Sequence, residues 1–172
     1  MSDVVLQEAS VADVPFMQQM LYVATIPEYI PLEYRPPFEK LMSANWVSRY
    51  ITGWGREHDH GLVAFEEGVA LGATWYRKFK DTEMQQLQKL TDVALPPFEL
   101  AIGLTEGARG RRIGSTLLGK LLDDADERGV NQMCLSVSVE NPVARRLYKN
   151  SGFDEVGGNS KSRIMLRTTG PF

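Results

Sequence analysis

The feature that most constrains this chain is a basic turn that leads directly into an amphipathic helix. Residues 109–114 read RGRRIG, so small residues and arginines stand where the helix begins. A helix leaves its first backbone amides without partners, so this composition predicts either an anion site or a solvated basic turn before an ordinary helix. The helix itself is predicted by apolar residues at helical spacing, which are Ile113, Leu117, Leu118, Leu121, Leu122 and Ala125.

A second segment favours the anion site. Residues 141–153 read NPVARRLYKNSGF. Asn141 is suited to cap a helix, Pro142 to its first turn and Gly152 to its end. The segment therefore predicts a short helix that follows the long one after an intervening strand.

Together, the two segments resemble the acyl-CoA-binding core of the GNAT N-acyltransferase superfamily. One family motif reads Arg/Gln-x-x-Gly-x-Gly/Ala, and this chain matches it at Arg109 and Gly114 but carries Arg112 at the central glycine. The other motif reads Asn-x-x-Ala-x-x-Leu-Tyr-x-x-x-Gly-Phe, and residues 141–153 match it throughout. The middle of the chain also resembles a bacterial GNAT subgroup, through a Gly-Trp-Gly-Arg loop and a Gly-Ala-x-Trp-Tyr-Arg strand, which here are residues 53–56 and 72–77.

Periodicity and turn residues predict an alternation of strands and helices along the chain. Strands are predicted at residues 4–7, 61–65, 70–79, 98–105, 132–139, 153–156 and 163–167. Helices are predicted over 14–21 behind a capping box of Ser10 and Asp13, over 38–51, around 84–90, and at the two motif segments. The first two helices are separated by an irregular loop, because prolines break the chain there, at Pro27, Pro31, Pro36 and Pro37.

This order of elements is the GNAT order. The resemblance implies an α/β (α+β) fold, with a mixed, mostly antiparallel sheet of six to seven strands flanked by about four helices. Residues 1–172 are interpreted as a single domain, since 172 residues suffice for one sizeable core.

Composition excludes several classes of protein. A net charge of −3 argues against general nucleic-acid binding. The single cysteine, Cys134, excludes an internal disulfide and a multi-cysteine zinc site. No apolar run reaches membrane-spanning length, and residues 1–3 lack the basic and apolar regions of a signal peptide. A cytoplasmic protein without a membrane partner is the simplest interpretation.

The resemblance implies that acetyl-CoA is the cosubstrate and that no metal is needed. In the family, the turn holds the pyrophosphate, and the pantetheine lies sheet-fashion against a strand that splays from its neighbour. Gly103 fits a close approach of ligand to backbone, or is merely a small residue under a helix. The implied cofactor-binding residues are Ile102, Gly103, Leu104, Thr105, Arg109, Gly110, Arg111, Arg112, Ile113, Gly114, Ser115, Thr116, Asn141, Ala144 and Tyr148.

Tyr148 is the leaving-group acid by resemblance. A phenol with a pKa near 10 is protonated at neutral pH and can donate its proton to a nascent thiolate. The alternative is a helix tyrosine that packs into the core. Asn141 hydrogen-bonds the pantetheine, caps its helix, or does both.

The general base is predicted to be Glu99, which lies on the same strand as Gly103. Family members often place a glutamate at about this point, where it acts directly or through water. An exposed strand glutamate is the other interpretation, and Glu140 is a weaker candidate for the base. A lysine amine needs a base because its pKa is near 10.4, whereas an α-amino group with a pKa near 7.7–8.0 is already partly neutral.

Other candidate residues are two histidines and four aromatic residues. His58 and His60, with Asp59 between them, are either a metal-binding pair or solvated loop residues. The aromatic residues line an acceptor pocket or belong to the core; they are Tyr34, Trp54, Trp75 and Tyr76.

The sequence therefore predicts an acetyl-CoA-dependent N-acetyltransferase that transfers the acetyl group directly in a ternary complex. The alternatives are a catalytically silent acyl-CoA-binding regulatory domain and a Rossmann-type nucleotide-binding module. The Rossmann alternative is disfavoured because Gly107, Gly110 and Gly114 have the wrong spacing and occur late in the chain. The acceptor, a small-molecule amine or a peptide N-terminus, stays open, as does a homodimer.

Overall fold

A computed structural model describes residues 3–26 and 29–170. Pro27, one of the predicted loop prolines, lies outside these ranges. The strands are β1 (Val4–Glu8), β2 (His60–Glu66), β3 (Val69–Lys78), β4 (Phe98–Leu104), β5 (Gln132–Ser138), β6 (Asp154–Gly158) and β7 (Ser162–Thr168). The helices are α1 (Val14–Thr25), α2 (Phe38–Ser43), α3 (Asn45–Ser48), α4 (Asp81–Gln88), α5 (Ile113–Glu127) and α6 (Pro142–Asn150).

All seven strands form one sheet in the order β1-β2-β3-β4-β5-β7-β6. Every neighbouring pair is antiparallel except β4 and β5, which are parallel. The prediction of a mixed, mostly antiparallel sheet of six to seven strands flanked by helices is therefore confirmed, with six α-helices in the described residues instead of about four.

Helices cover the two faces of the sheet and divide the core. Helix α5 packs on one face, where it meets alternate residues of β4, as the apolar spacing predicted; these β4 residues are Phe98, Leu100, Ile102 and Leu104. On the opposite face, α1, α2 and α3 cover β2 and β3, and α4 packs near β5 and β7. Different helices therefore cover the two faces of β4 and of the sheet around it.

The predicted helix over residues 38–51 is wrong in its length. It is two short helices, because Ala44 is extended, with φ −74° and ψ 125°. Both Leu41 and Val47 are buried in the core beneath α1. Six residues of continuous helix would place them on different faces, so a break lets both side chains be buried.

Several local predictions are confirmed. The β2–β3 hairpin turns at Glu67 and Gly68, which both have positive φ, as a tight turn between antiparallel strands requires. The backbone amide of Ser10 donates to the Asp13 carboxylate at 2.8 Å, as in the predicted capping box. Within the described ranges, no helix is long and apolar enough to cross a membrane.

Candidate functional site

Strands β4 and β5 meet at one point and then diverge. Their only registered pair among the described residues is Glu99 with Cys134, whereas β3 and β4 are paired along their whole length, from Lys78–Phe98 to Gly72–Leu104. A cleft therefore opens between the two strands beyond Glu99, toward the carboxyl end of β4. The predicted splay of this strand from its neighbour is confirmed.

The edge of β4 that faces this cleft carries unused backbone groups. The Thr105 amide donates to Leu71 on the opposite side, at 2.9 Å. Since peptide groups of successive strand residues point to alternate neighbours, those of Ile102 and Leu104 point toward β5. No residue of β5 is registered with them in the described chain. This edge can accept an extended ligand in the manner of an added strand.

The turn after β4 leaves its amides open. The first helical hydrogen bond of α5 runs from the Thr116 amide to the Arg112 carbonyl, at 3.1 Å. Within the described parts of the chain, no hydrogen bond engages the amides of residues 110–115. With the positive end of the helix dipole behind them, these donors have the arrangement that anion binding requires, and anion binding here stays a prediction.

Arg112 has a conformation that explains the family glycine at this position. Its φ is 61° and its ψ is 15°, in the left-handed region that glycine adopts without strain. Gly110, two residues earlier, also has positive φ. A side chain in this region costs about 1–2 kcal/mol, so the turn retains its shape here against a local penalty.

The three arginines of the turn, Arg109, Arg111 and Arg112, are exposed. Arg111 lies 2.8 Å from the Glu66 carboxylate at the end of β2. Arg109 lines a cleft between the end of α1 and the end of β4, together with Tyr22, Val23, Ile26, Arg35, Leu104 and Glu106. The turn therefore borders a concave surface on the α1 side.

Two glycines predicted to admit a ligand also have a packing reason. A Cβ on Gly114 would lie 3.2 Å from Leu104 Cδ1 and 3.7 Å from Leu147 Cδ2, so β4, α5 and α6 converge there. A Cβ on Gly103 would lie 2.4 Å from the Met20 carbonyl oxygen, beneath α1. Of the two interpretations of Gly103, the small residue under a helix is what the structure shows. A role for its backbone in binding stays a prediction.

Tyr148 lies on α6 against the α5 side of the core and is buried. Its ring meets Phe153 edge to face at 6.0 Å. No hydrogen bond from a described residue engages its hydroxyl. The hydroxyl oxygen is also not fully enclosed, so it can meet solvent or a ligand. Burial raises the pKa of the Tyr148 phenol above its usual range, so the group is protonated at neutral pH. Asn141 caps the same helix by accepting from the Ala144 amide at 3.0 Å.

Glu99 is not an exposed strand residue, so that interpretation is wrong. It is 1% exposed. Arg49 donates to both of its carboxylate oxygens, at 2.9 and 3.3 Å, and the Tyr50 hydroxyl donates to Oε1. Burial raises the pKa of Glu99, and the Arg49 guanidinium and the Tyr50 hydroxyl oppose that rise. Glu99 stands where β4 and β5 meet, on the face opposite α5.

Arg49 and Tyr50 are site residues that the sequence did not reveal. They lie about fifty positions before their partner, in a segment predicted to be plain helix. Their only sequence signal is the adjacent Gly-Trp-Gly-Arg loop, which the subgroup resemblance singled out without giving it a role.

The histidine pair is neither a pair of solvated residues nor a joint site. His60 is 3% exposed, and its Nε2 lies 2.8 Å from Asp124 on α5. His58 is exposed and makes a T-shaped contact with Phe98. Asp59, between them, is bound to Arg77. The three side chains therefore serve three different neighbourhoods.

The remaining candidates are scattered. Trp75 and Tyr76 are core residues, each 1% exposed, whereas Tyr34 is 74% exposed. Trp54 lies over the Arg77 guanidinium at 5.7 Å. Glu140 accepts from the Tyr29 hydroxyl, which links the loop after α1 to the loop after β5.

Comparisons with known proteins agree with this geometry. A model of a family described as the acetyltransferase (GNAT) family matches residues 20–153. A mycothiol acetyltransferase of Beutenbergia cavernae is 44% identical over 63 residues, which are 37% of this chain and 21% of that protein. This chain thus matches about one fifth of the length of that curated relative.

Solved structures share the fold at low identity. A ribosomal-protein-alanine N-acetyltransferase from Brucella melitensis superposes with a TM-score of 0.65 and 23% identity, over 96% of this chain and 99% of that chain. The Salmonella typhimurium protein yncA, solved with its cofactor acetyl-CoA, gives a TM-score of 0.64 and 18% identity, over 98% of this chain and 95% of that chain. At this identity the likeness establishes the fold alone.

Proposed function

This chain belongs to the acetyltransferase (GNAT) family, and from that premise we propose that it transfers an acetyl group from acetyl-CoA to an amine. The observation that carries the proposal is the convergence at the end of β4. There, an unpaired strand edge, a turn with open amides and the helix that bears Tyr148 meet around Gly114. Each of these features matches one part of a long, anionic thioester.

Residues on the α5 side of the cleft fit the cosubstrate. The amides of residues 110–115 and the exposed side chains of Arg109 and Arg112 would hold the pyrophosphate. The backbone of Ile102 and Leu104 would hold the pantetheine amides in sheet fashion. When bound, acetyl-CoA supplies an acetyl thioester, whose carbonyl carbon is the electrophile.

The proton movements follow from the two buried ionisable groups. As the amine nitrogen bonds to the carbonyl carbon and the C–S bond breaks, Tyr148 donates its hydroxyl proton to the departing sulfur. Glu99 takes the proton that the amine loses, directly or through water. Its raised pKa brings it closer to neutral pH, where a general base works best. Tyr148 lies on the α5 side of the sheet and Glu99 on the opposite face, so separate groups serve the leaving sulfur and the amine, and we propose direct transfer in a ternary complex.

The acceptor is proposed only as an amine, either a small molecule or a peptide N-terminus. Among the relatives, one is named for mycothiol and another for the alanine of a ribosomal protein. These names differ too much in chemistry to choose between acceptors for this chain.

Binding of the cosubstrate is tested by thermal unfolding. Coenzyme A at one hundred times its dissociation constant should stabilise the protein by about 2.7 kcal/mol, and NAD should not. The two ligands share an adenosine pyrophosphate, so the comparison reports on the pantetheine cleft as well as on the turn. An absence of any shift with millimolar acetyl-CoA would contradict the proposal.

Catalysis is tested by thiol release from acetyl-CoA across a panel of amines that includes polyamines, amino acids and peptides with free N-termini. Amine-dependent release supports the enzyme. Binding of coenzyme A without release for any amine would instead support the catalytically silent acyl-CoA-binding domain.

A further inference from the structure

The loop that carries Arg49 and Tyr50 is held to the sheet by one arginine. Arg77, on β3, is completely buried. Its Nη1 donates to the carbonyl oxygens of Arg49 at 3.1 Å and of Thr52 at 2.6 Å. Its Nε and Nη2 donate to the two carboxylate oxygens of Asp59, each at 2.9 Å. A single guanidinium therefore fixes both ends of the loop.

Asp59 itself and a tryptophan of β3 complete this attachment. The Asp59 carboxylate accepts from the amides of Gly55 at 3.0 Å and Arg56 at 2.9 Å. The Trp75 indole donates to the Tyr50 carbonyl at 2.9 Å. The glycine-tryptophan loop and the tryptophan-tyrosine-arginine strand, which the sequence singled out, thus form one unit.

The unit lies directly beside the proposed base. Arg77 and Glu99 are registered partners on β3 and β4. Arg77 is nevertheless committed to Asp59, and the Glu99 carboxylate is paired instead with Arg49, the residue whose carbonyl Arg77 holds. Arg77 fixes the backbone of residues 49–52 through two carbonyl oxygens. From this fixed backbone, the side chains of Arg49 and Tyr50 reach Glu99.

We propose that Arg77 and Asp59 are positioning residues that hold Arg49 and Tyr50 against Glu99. The inference rests on the proposed role of Glu99 as general base. Stability alone does not explain the arrangement, because apolar residues of similar volume can replace a buried ion pair without loss. Apolar residues cannot hold two carbonyl oxygens and two amides of a loop in fixed directions.

The consequence is an effect on the ionisation of Glu99. Burial raises its pKa and Arg49 lowers it, so displacement of Arg49 leaves burial less opposed and the pKa rises further. A further rise in this pKa moves the pH range over which Glu99 can accept a proton to higher pH. The titratable and charged groups around Glu99 are Arg49 and Tyr50 from the loop, Arg77 from β3, Cys134 from β5 and Glu83 from α4.

Arg77→Lys is the variant that tests this. Lysine keeps the positive charge beside Glu99 but cannot bond a carboxylate and two carbonyls in the same planar arrangement. The matched control is Arg167→Lys, which breaks another two-bond arginine–aspartate pair, Arg167 with Asp126, away from the cleft. Where Arg77→Lys does not fold, Asp59→Asn replaces it, because it removes the counter-charge and keeps the volume.

The measurement is an NMR titration of carboxyl-labelled glutamate, with the Glu99 signal assigned by its loss in Glu99→Gln. Arg77→Lys should raise the apparent pKa of Glu99 by about one pH unit, and Arg167→Lys should leave it unchanged. With an acceptor from the amine panel, the acid limb of kcat/KM should move upward by the same amount, while coenzyme A affinity stays constant.

An unchanged Glu99 titration in Arg77→Lys, or an equal shift in both variants, would overturn the positioning role. The titration needs no acceptor. A lack of turnover in the amine panel would therefore count against the proposed function without affecting this result.

Discussion

At the start of β4, charged side chains are buried and satisfied by one another, whereas at its end backbone donors face a cleft without protein partners. Glu99 is enclosed by Arg49 and Tyr50. Fifteen residues later, the amides around Gly114 are not bonded by any described residue. Both regions belong to the same proposed site and border the same strand.

In the first region the protein's own side chains satisfy the polar groups, whereas in the second region a ligand would have to satisfy them. Buried charges must be paired within the protein, because an unpaired one costs several kcal/mol. Open amides at the surface are hydrated in the absence of ligand and cost little free energy of folding, so they can stay available to bind an anion. The region around Glu99 is therefore organised before any ligand binds, whereas the turn at residues 110–115 offers donors to a ligand.

Removal of the Tyr148 hydroxyl should give the largest effect. Tyr148→Phe keeps the ring against Phe153 and removes only the acid, so turnover should fall about 10²–10⁴-fold with little change in coenzyme A affinity. Turnover and melting temperature are measured on one sample, with an amine from the panel. Normal turnover with a lowered melting temperature would assign Tyr148 to the core instead.

Loss of the buried counter-charge should give the next largest effect. Asp59→Ala leaves the Arg77 guanidinium enclosed without its carboxylate, so unfolding free energy should fall by about 3–5 kcal/mol in urea denaturation. The control is Asp126→Ala, since Asp126 also binds an arginine through two bonds but is 38% exposed, and should cost less than about 1 kcal/mol. Equal losses would mean that the enclosure around Arg77 has no special energetic weight.

Relief of strain in the turn should give the smallest effect. Arg112→Gly should be more stable than Arg112→Ala by about 1 kcal/mol, because only glycine is unstrained at this φ. Both variants lose the same charge, so their coenzyme A affinities, measured by calorimetry, should fall together. A glycine variant no more stable than the alanine variant would show that the left-handed conformation is not a cost in solution.

The turn and the two motif helices were predictable from sequence because their signals are local. The turn at residues 109–114, the cap at Asn141 and the apolar spacing of α5 each act within a few residues. The sheet followed from alternation and from turn residues such as Gly68. Even there, the strain at Arg112 appears only in the backbone angles.

The surroundings of Glu99 were not predictable, because their contacts join distant parts of the chain. Glu99 was singled out, but the exposed alternative stayed open since nothing in the sequence indicates that Arg49 reaches it. The helix breaks at Ala44 although neither glycine nor proline stands there. The break follows from the burial of both Leu41 and Val47. Tertiary packing overrode helical propensity at that point.

The single registered pair between β4 and β5 also bears on how the molecule opens. Strands β1–β4 and strands β5–β7 are each joined by long ladders, with one register shift in β2–β3 and one in β6–β7, and among the described residues only Glu99 with Cys134 joins the two sets in register. We therefore expect amides of the two sets of strands to exchange with solvent in partly separate opening events. A ligand that bonds along the edge of β4 and reaches α5 and α6 adds contacts across the boundary between β4 and β5. Cosubstrate binding would then slow amide exchange far from the turn, and amides of strands β1–β4 and β5–β7 would exchange more nearly together.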